Sequence, residues 1–372
     1  MPSADAPSRL RLVNQEGMGQ SSPMSAPALI VTNFNPNFTG VSATAATVVR
    51  GQMQRYNLRL VGSPLPGCPT PTTIREARKL CRTAQQPVIW HVRRNPEMRV
   101  AIWARDVLRL PIKIVFTSAA QRRHSAYPRW LISRMDAVIA TTSAAASYVP
   151  NVSAVVPHGV DTNLFKPAAN RLTAWQELGF GGTRGIASVG RVRPEKGTDV
   201  FVEALLKVLP NAPDTVALII GKIAPKDTVF ADNLKAKIAA VGLSDQIIFT
   251  GEIPPETLQK MLPALSLLVA LPRYEGYGMT PLEAMASGVP FVGSDTGYFK
   301  TFSDAGQAGI VVPIGEDDLA AQAIQSLLNN PTELARMSDH ALNTARTRHS
   351  AQEEISGIDT VYQELWAEAA SA

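Results

Sequence analysis

The sequence predicts an α/β protein made of two doubly wound parallel sheets that face each other across a cleft. Three observations carry this. Short apolar runs alternate with helical stretches along the whole chain, the mark of successive βαβ units. At 372 residues the chain is longer than one hydrophobic core usually serves. The runs also fall into two groups, parted by the proline-bearing segment 161–169, which reads as a linker.

The first group comprises residues 28–31, 87–90, 112–116, 137–140 and 153–156. The second comprises 185–189, 216–220, 246–249, 267–270, 289–292 and 309–312. This divides the chain into a Rossmann-like N-terminal domain, 27–165, and a Rossmann-like C-terminal domain, 166–350. The stretch 351–372 is helical in pattern with no strand after it, and is expected to pack back toward the N-terminal domain. Residues 1–26 are polar, rich in proline and serine, and lack the apolar core of a secretory signal. They read as a disordered tail, with Met18 and Met24 as later candidate starts.

Composition narrows the function. An apolar fraction of 45% with 6% aromatics fits a soluble globular protein. The two cysteines, Cys68 and Cys81, match no metal-ligand spacing and no disulfide framework, which points to a reducing compartment. The longest apolar run, 262–271, falls short of the roughly 18 residues that span a bilayer. Charge is unevenly placed: up to Phe165 there are 19 basic and 7 acidic residues, and after it 17 and 24. The basic residues cluster as Arg75, Arg78, Lys79 and Arg82; as Arg93, Arg94 and Arg99; and as Arg122, Arg123 and Arg129. Any one cluster is most simply a solvated helix face. The whole imbalance points to an anionic partner, either nucleic acid or a membrane surface.

The loops after the second-group strands carry the chemistry. In RYEGYGMTPLEAMASGVP, residues 273–290, Thr280-Pro281-Leu282-Glu283 reads as a helix start with Thr280 as the cap and Glu283 closing a capping box. The loop Glu275-Gly276-Tyr277-Gly278-Met279 then delivers backbone N–H groups to a helix N-terminus, a place that favours an anion. The plainer alternative makes Glu283 only a cap and Glu275 a solvated loop residue. After the strand ending at Val189, Arg191 and Lys196 share one turn ahead of another helix, placed to bracket a diphosphate. The plainer alternative there is an ordinary basic turn.

Taken together, Gly190-Arg191 with Glu195-Lys196-Gly197, the Thr250-Gly251 turn, and Glu275 with Glu283 inside EGYGMTPLEAMASGVP resemble the retaining nucleotide-sugar glycosyltransferases of family four. That family has the two-Rossmann GT-B fold. The second half matches the pattern almost end to end. Val156-Pro157-His158-Gly159-Val160-Asp161, with Phe165-Lys166-Pro167, is similar to the family's interdomain junction. More narrowly, residues 89–142, beginning IWHVRRNPEM, resemble lipopolysaccharide core mannosyltransferases that use GDP-mannose.

The resemblance implies roles. Arg191 and Lys196 hold the donor diphosphate and offset the charge that grows on the leaving nucleotide. Glu275 lies by the sugar ring and Glu283 accepts hydrogen bonds from the ribose. Gly276, Tyr277, Gly278, Met279 and Thr280 offer backbone N–H groups. Gly190 and the turn Gly251-Glu252-Ile253 complete the donor site, the turn reading the base through its backbone. The loop 35–42, with Thr39 and Gly40, closes over diphosphate and acceptor. The implied reaction moves mannose from GDP-mannose onto an anionic, lipid-linked inner-core acceptor of the Kdo type. The implied location is the cytoplasmic face of the inner membrane, held peripherally.

The chain also departs from the family. Thr39-Gly40 stands where a Gly-Gly pair is common, and Ser118-Ala119-Ala120 stands where many members carry a histidine. His124 and His91 are the nearest histidines and the acceptor-side candidates, although a lone histidine is more often structural. Retention in this family is explained by front-face attack assisted by the leaving phosphate, so a histidine base is not obligatory. No Asp-x-Asp pair ends a strand, and neither metal nor cofactor is expected. Asp317-Asp318 sits at a helix start, where acids suit the dipole. The alternatives are a UDP- or ADP-glucose transferase, a dinucleotide oxidoreductase and a nucleic-acid-binding protein. No Gly-x-Gly-x-x-Gly follows a strand, which counts against the oxidoreductase, and no nucleic-acid module is present, so nucleic acid is not expected as a partner.

Overall fold

The structure, a computed structural model, describes residues 28–37 and 39–371; the expected tail and Phe38 lie outside the described residues. Twelve strands form two six-stranded sheets, every pairing parallel. The first holds β1 (Ala28–Asn33), β2 (Asn57–Gly62), β3 (Val88–Val92), β4 (Ile112–Ser118), β5 (Ala137–Ala140) and β6 (Val152–Val155), in the order β2-β1-β3-β4-β5-β6. The second holds β7 (Arg184–Val189), β8 (Thr215–Ile220), β9 (Ile247–Gly251), β10 (Leu267–Ala270), β11 (Phe291–Ser294) and β12 (Gly309–Val312), in the order β12-β11-β10-β7-β8-β9.

Helices cover both faces. In the N-terminal half these are α1 (Gly40–Gln52), α2 (Ile74–Thr83), α3 (Asn95–Asp106), α4 (Ala126–Ile132) and α5 (Ser143–Ala146). In the C-terminal half they are α6 (Arg171–Glu177), α7 (Thr198–Val208), α8 (Thr228–Ala240), α9 (Pro255–Met261), α10 (Met279–Ala286), α11 (Phe299–Ser303), α12 (Asp317–Leu328) and α13 (Pro331–Arg348), followed by α14 (Ala351–Ser371). Side chains of α2, α3 and α4 pack on one face of the first sheet, and those of α1 and α14 on the other.

The apolar spacing of α14 decides where it goes. Ile355, Ile358, Val361, Tyr362, Leu365 and Trp366 recur at helical period, and all are buried against Leu29, Val31, Ile89 and Val115. Burying six such side chains is worth on the order of 10 kcal/mol before entropy is counted. The helix is therefore part of the N-terminal domain although it follows the C-terminal one. The chain crosses between domains twice, side by side. Val160 pairs with Ser350, and Glu354 accepts from His158 Nδ1 at 2.7 Å and from the Gly159 N–H at 2.9 Å.

Two features differ from the sequence reading. Strand β2, NLRLVG, was not expected. It is the edge strand, and its central Arg59 is exposed, which an edge permits. Helix α10 begins at Met279, capped by Gly278, so Thr280 is not the cap and Glu283 closes no capping box. Gly278 holds φ at +90°, which favours glycine, and that turn starts the helix before Thr280 is reached.

Both sheets reverse their strand order once: between β1 and β3, and between β7 and β10. In open parallel sheets the crevice beyond the carboxyl ends of the strands at such a point is where ligands bind.

Candidate active site

The loops after β7 and β10 meet at the second of these crevices. Gly190 leaves β7 with its N–H donated to the Ile220 carbonyl at 2.9 Å. Pro194–Lys196 forms a single 3₁₀ turn, and Gly197 follows at φ +65° as the cap of α7. A Cβ on Gly197 would lie 1.8 Å from the Leu271 carbonyl, so the two loops touch backbone to backbone. Arg273 adds a bidentate pair to Asp199, at 2.7 and 2.8 Å, and its N–H reaches the Glu195 carbonyl at 3.0 Å. Burial pushes the Asp199 pKa up, but the Arg273 pairing together with backbone N–H bonds holds it, on balance, below the usual carboxylate range.

This frame sets the charged side chains. Lys196 Nζ donates to Glu275 Oε2 at 2.6 Å, and Glu275 Oε1 accepts the Gly276 N–H at 2.9 Å. Arg191 is exposed and makes no ion pair among the described residues. Gly190, Arg191, Lys196, Glu275, Gly278 and Thr280 line one pocket together with Ser188 and Phe299. The structure thus brings together residues distant in sequence at one mouth. The Gly276 N–H, however, is taken by Glu275 here and is not offered to a ligand.

Glu283 lies deeper on α10. Protein packs closely around its carboxyl group, although the residue keeps a partial opening to solvent. No hydrogen bond among the described residues reaches that carboxylate, and burial pushes its pKa up to about 7. A carboxylate without a donor is an acceptor still to be filled.

Tyr277 keeps its side chain out of the pocket. Its side chain is buried, donates its hydroxyl to the His158 carbonyl at 2.7 Å, and stacks on Tyr298 at 5.0 Å between centroids. Burial drives the phenol pKa upward. Tyr277 ties the donor-side loop to the interdomain crossing and leaves only backbone for a ligand. Met279 is half-buried against the core on that side. Gly251 ends β9 at φ +74°, and its carbonyl accepts the Gly221 N–H at 2.9 Å. Beside it Glu252 is exposed near Lys222, 3.5 Å away, and Ile253 is half-buried.

Across the cleft, Arg94 organises the loop after β1. Its guanidinium donates to Asn33 Oδ1 at 2.9 Å, Ser42 Oγ at 3.0 Å and Thr39 Oγ1 at 3.3 Å. Glu97, fully buried, accepts the N–H groups of Phe34 and Arg93 at 3.1 and 2.7 Å. Thr39 and Gly40 stand exposed at the start of α1. His91 is a core residue: fully buried, with Nδ1 2.5 Å from the Tyr362 hydroxyl and Nε2 2.7 Å from Thr117 Oγ1. Desolvation pushes its pKa well down, and no acceptor can reach it. His124 is half-exposed in the loop before α4. Sequence reasoning did not single out Gln121, which meets the donor-side loop; a Cβ on Gly276 would lie 1.9 Å from its Nε2.

Among the described residues no cluster of His, Cys, Asp and Glu is arranged to hold a metal ion. No described helix is long and apolar enough to cross a membrane.

Two facing parallel sheets, with the loops of each at the shared cleft, define a GT-B architecture. The crystal structure of Anabaena HepE in complex with UDP and glucose superposes with a TM-score of 0.75 at 16% identity, covering 91% of this chain and 100% of that one. The family model for glycosyl transferases group 1 matches residues 173–344. Over 342 residues the chain is 37% identical to the lipopolysaccharide core biosynthesis mannosyltransferase LpcC of Rhizobium leguminosarum bv. viciae, covering 91% of this chain and 96% of that protein. It is 36% identical to LpsB of Rhizobium meliloti, which carries the same description, over 91% and 97% of the two chains. The chain belongs to the group 1 glycosyltransferases and is a glycosyltransferase.

Proposed function

We propose that the enzyme transfers mannose from GDP-mannose, with retention of configuration, to an inner-core sugar acid of lipopolysaccharide. The observation that carries this reading is the near full-length similarity to two lipopolysaccharide core mannosyltransferases, joined to the pocket that holds Arg191, Lys196 and Glu275.

The donor's diphosphate lies on Arg191 and Lys196, the ribose hydroxyls donate to Glu283, and the sugar ring faces Glu275. As the glycosidic bond breaks, negative charge moves onto the β-phosphate. Two fixed cations there stabilise it most when it is greatest, which is what lowers the barrier. The acceptor hydroxyl approaches on the same face and passes its proton to the departing phosphate oxygen. Arg191 and Lys196 supply the charge for which other transferases use a metal ion. The enzyme works peripherally at the cytoplasmic face of the inner membrane, with the helix layer α2–α3–α4 toward anionic lipid.

A thermal-shift panel of nucleoside diphosphates and nucleotide sugars tests the donor. A ligand at 100 times its Kd stabilises by about 2.7 kcal/mol. GDP and GDP-mannose are expected to raise the melting temperature above any shift from UDP or ADP; a panel in which no nucleotide raises it contradicts the reading.

A further inference from the structure

The crevice at the other switch point, between β1 and β3, also holds charged side chains. Arg93 is the first residue after β3, at its carboxyl end. Its backbone N–H is bonded to Glu97, but its guanidinium makes no hydrogen bond among the described residues, and Nη1 is buried with no partner. A buried guanidinium without acceptors is costly, and such groups are found paired unless a ligand completes them.

The acidic groups that act on it, Glu97, Glu354 and Tyr362, are engaged elsewhere. Glu97 takes the N–H groups of Phe34 and Arg93 and a guanidinium bond from Arg94. Glu354 takes His158 and the Gly159 N–H. The Tyr362 hydroxyl is bonded to His91. Arg94, one position on, shows the contrast: it bonds Asn33, Thr39, Ser42 and Glu97 and is structurally committed. Gln121, which touches Gly276, has its Oε1 likewise buried without a partner. Arg93, at the carboxyl end of β3, and Gln121, against Gly276, are thus an unfilled cation and an unfilled amide oxygen on the N-terminal domain's side.

We infer that Arg93 is the acceptor-binding residue that recognises a carboxylate on the acceptor sugar, held by the fork of its guanidinium at the β1/β3 crevice. The planar fork pairs with a carboxylate or a phosphate, of which the proposed sugar acid carries the first, and no lysine could reproduce the paired geometry. The inference rests on the proposed sugar-acid acceptor. It adds which residue reads the acid, and predicts that this group sets acceptor specificity while leaving the donor site untouched.

The test compares a glycoside of a 3-deoxy-2-keto sugar acid with its methyl ester, using wild-type enzyme and Arg93→Gln. Wild type should favour the acid by about 10- to 100-fold in kcat/KM, the worth of a charge-assisted pair. Arg93→Gln should abolish the preference, with donor KM unchanged, and Arg93→Lys should restore part of it. A preference for the acid that survives in Arg93→Gln overturns the assignment, and so does a wild type that uses acid and ester equally. Calorimetry with the acid glycoside and GDP-loaded protein gives a readout independent of turnover: binding that the variant loses supports the site, and binding that is absent from wild type or unchanged in the variant overturns it. Failure of transfer despite Arg93-dependent binding would instead count against the proposed reaction. Should Arg93→Gln not fold, the acid-to-ester ratio of wild type and Arg93→Lys still decides.

Discussion

The ammonium of Lys196 stands 2.6 Å from the carboxylate of Glu275, across 79 positions of sequence. One side chain leaves the β7 strand end and the other the β10 strand end, so the pair spans the switch point of the C-terminal sheet. Both are only partly exposed, and the pair is preset where a diphosphate would need the cation and a sugar would need the acid.

Replacing Lys196 or Arg191 by alanine should therefore lower kcat by about 100-fold or more, the usual loss when a transition-state charge partner is removed. Glu275→Gln should slow transfer yet bind free nucleoside diphosphate a few-fold more tightly, because it frees Lys196 from a competing carboxylate. Steady-state kinetics with calorimetry on the same variants checks both. Unchanged kinetics in a folded Arg191→Ala, Lys196→Ala double variant would remove the phosphate clamp.

Glu283 gives a pH dependence with a definite sign. Its pKa is raised by burial to about 7, above the roughly 4.3 of an unfolded glutamate. Between those values the folded state holds a proton that the unfolded state has released, so this group's contribution to stability falls as pH rises from about 4 to 7. Glu283→Gln should flatten that slope and be the more stable protein at pH 8, by on the order of 1–3 kcal/mol after allowance for solvent access. Its donor KM should rise, since an amide accepts ribose hydroxyls less well than a carboxylate. A variant less stable at pH 8 with unchanged donor KM would return Glu283 to a purely structural role.

Gly197 carries a stability prediction. Its φ of +65° and the Leu271 carbonyl 1.8 Å from a would-be Cβ leave no room for alanine. Gly197→Ala should cost about 3 kcal/mol, from strain and forced separation of the two loops. Gly242→Ala, at a similar φ of +74° but with open space around it, should cost less. Denaturant melts of the two variants make the comparison, and equal losses would show that only φ matters.

The helix layer α2–α3–α4 predicts membrane behaviour. Trp103, Tyr127 and Trp130 are each about half exposed along a groove between α3 and α4. Arg99, Arg122, Arg123 and Arg129 are exposed around it and form no ion pair among the described residues. Each such cation near an anionic surface is worth about 1 kcal/mol. Co-sedimentation with anionic vesicles should exceed that with neutral ones, fall with salt, and drop further in Trp103→Ser, Trp130→Ser. Binding indifferent to lipid charge and salt would make this layer an ordinary solvated surface.

Much of the fold was legible because parallel strands under two helix layers are short apolar runs, and such runs stand out in the sequence. Strand β2 escaped because Arg59 interrupts its run, and only its edge position makes that harmless. Glycines before helices marked the cleft loops, yet the α10 start was misplaced: Thr280-Pro281 has cap chemistry, and nothing in the letters reveals the φ of Gly278. The burial of Tyr277 was not legible from its glycine neighbours, because it depends on Tyr298 and His158 from other segments. His91 carried a usable warning, since Val88, Ile89, Trp90 and Val92 around it form a buried strand. The partnerless state of Arg93 was not readable at all, because it depends on where Glu97 and Glu354 direct their oxygens.

The most direct measurement incubates the purified enzyme with GDP-mannose and a sugar-acid glycoside in excess chelator, then reads the product by mass spectrometry and by the one-bond carbon–proton coupling at the anomeric centre. The result predicted is one hexose added per acceptor, undiminished by the chelator, with the α-configuration of the donor kept. Inverted configuration would contradict the retaining course, and transfer that stops with the chelator and returns with a divalent cation would contradict an Arg191–Lys196 clamp acting in place of a metal.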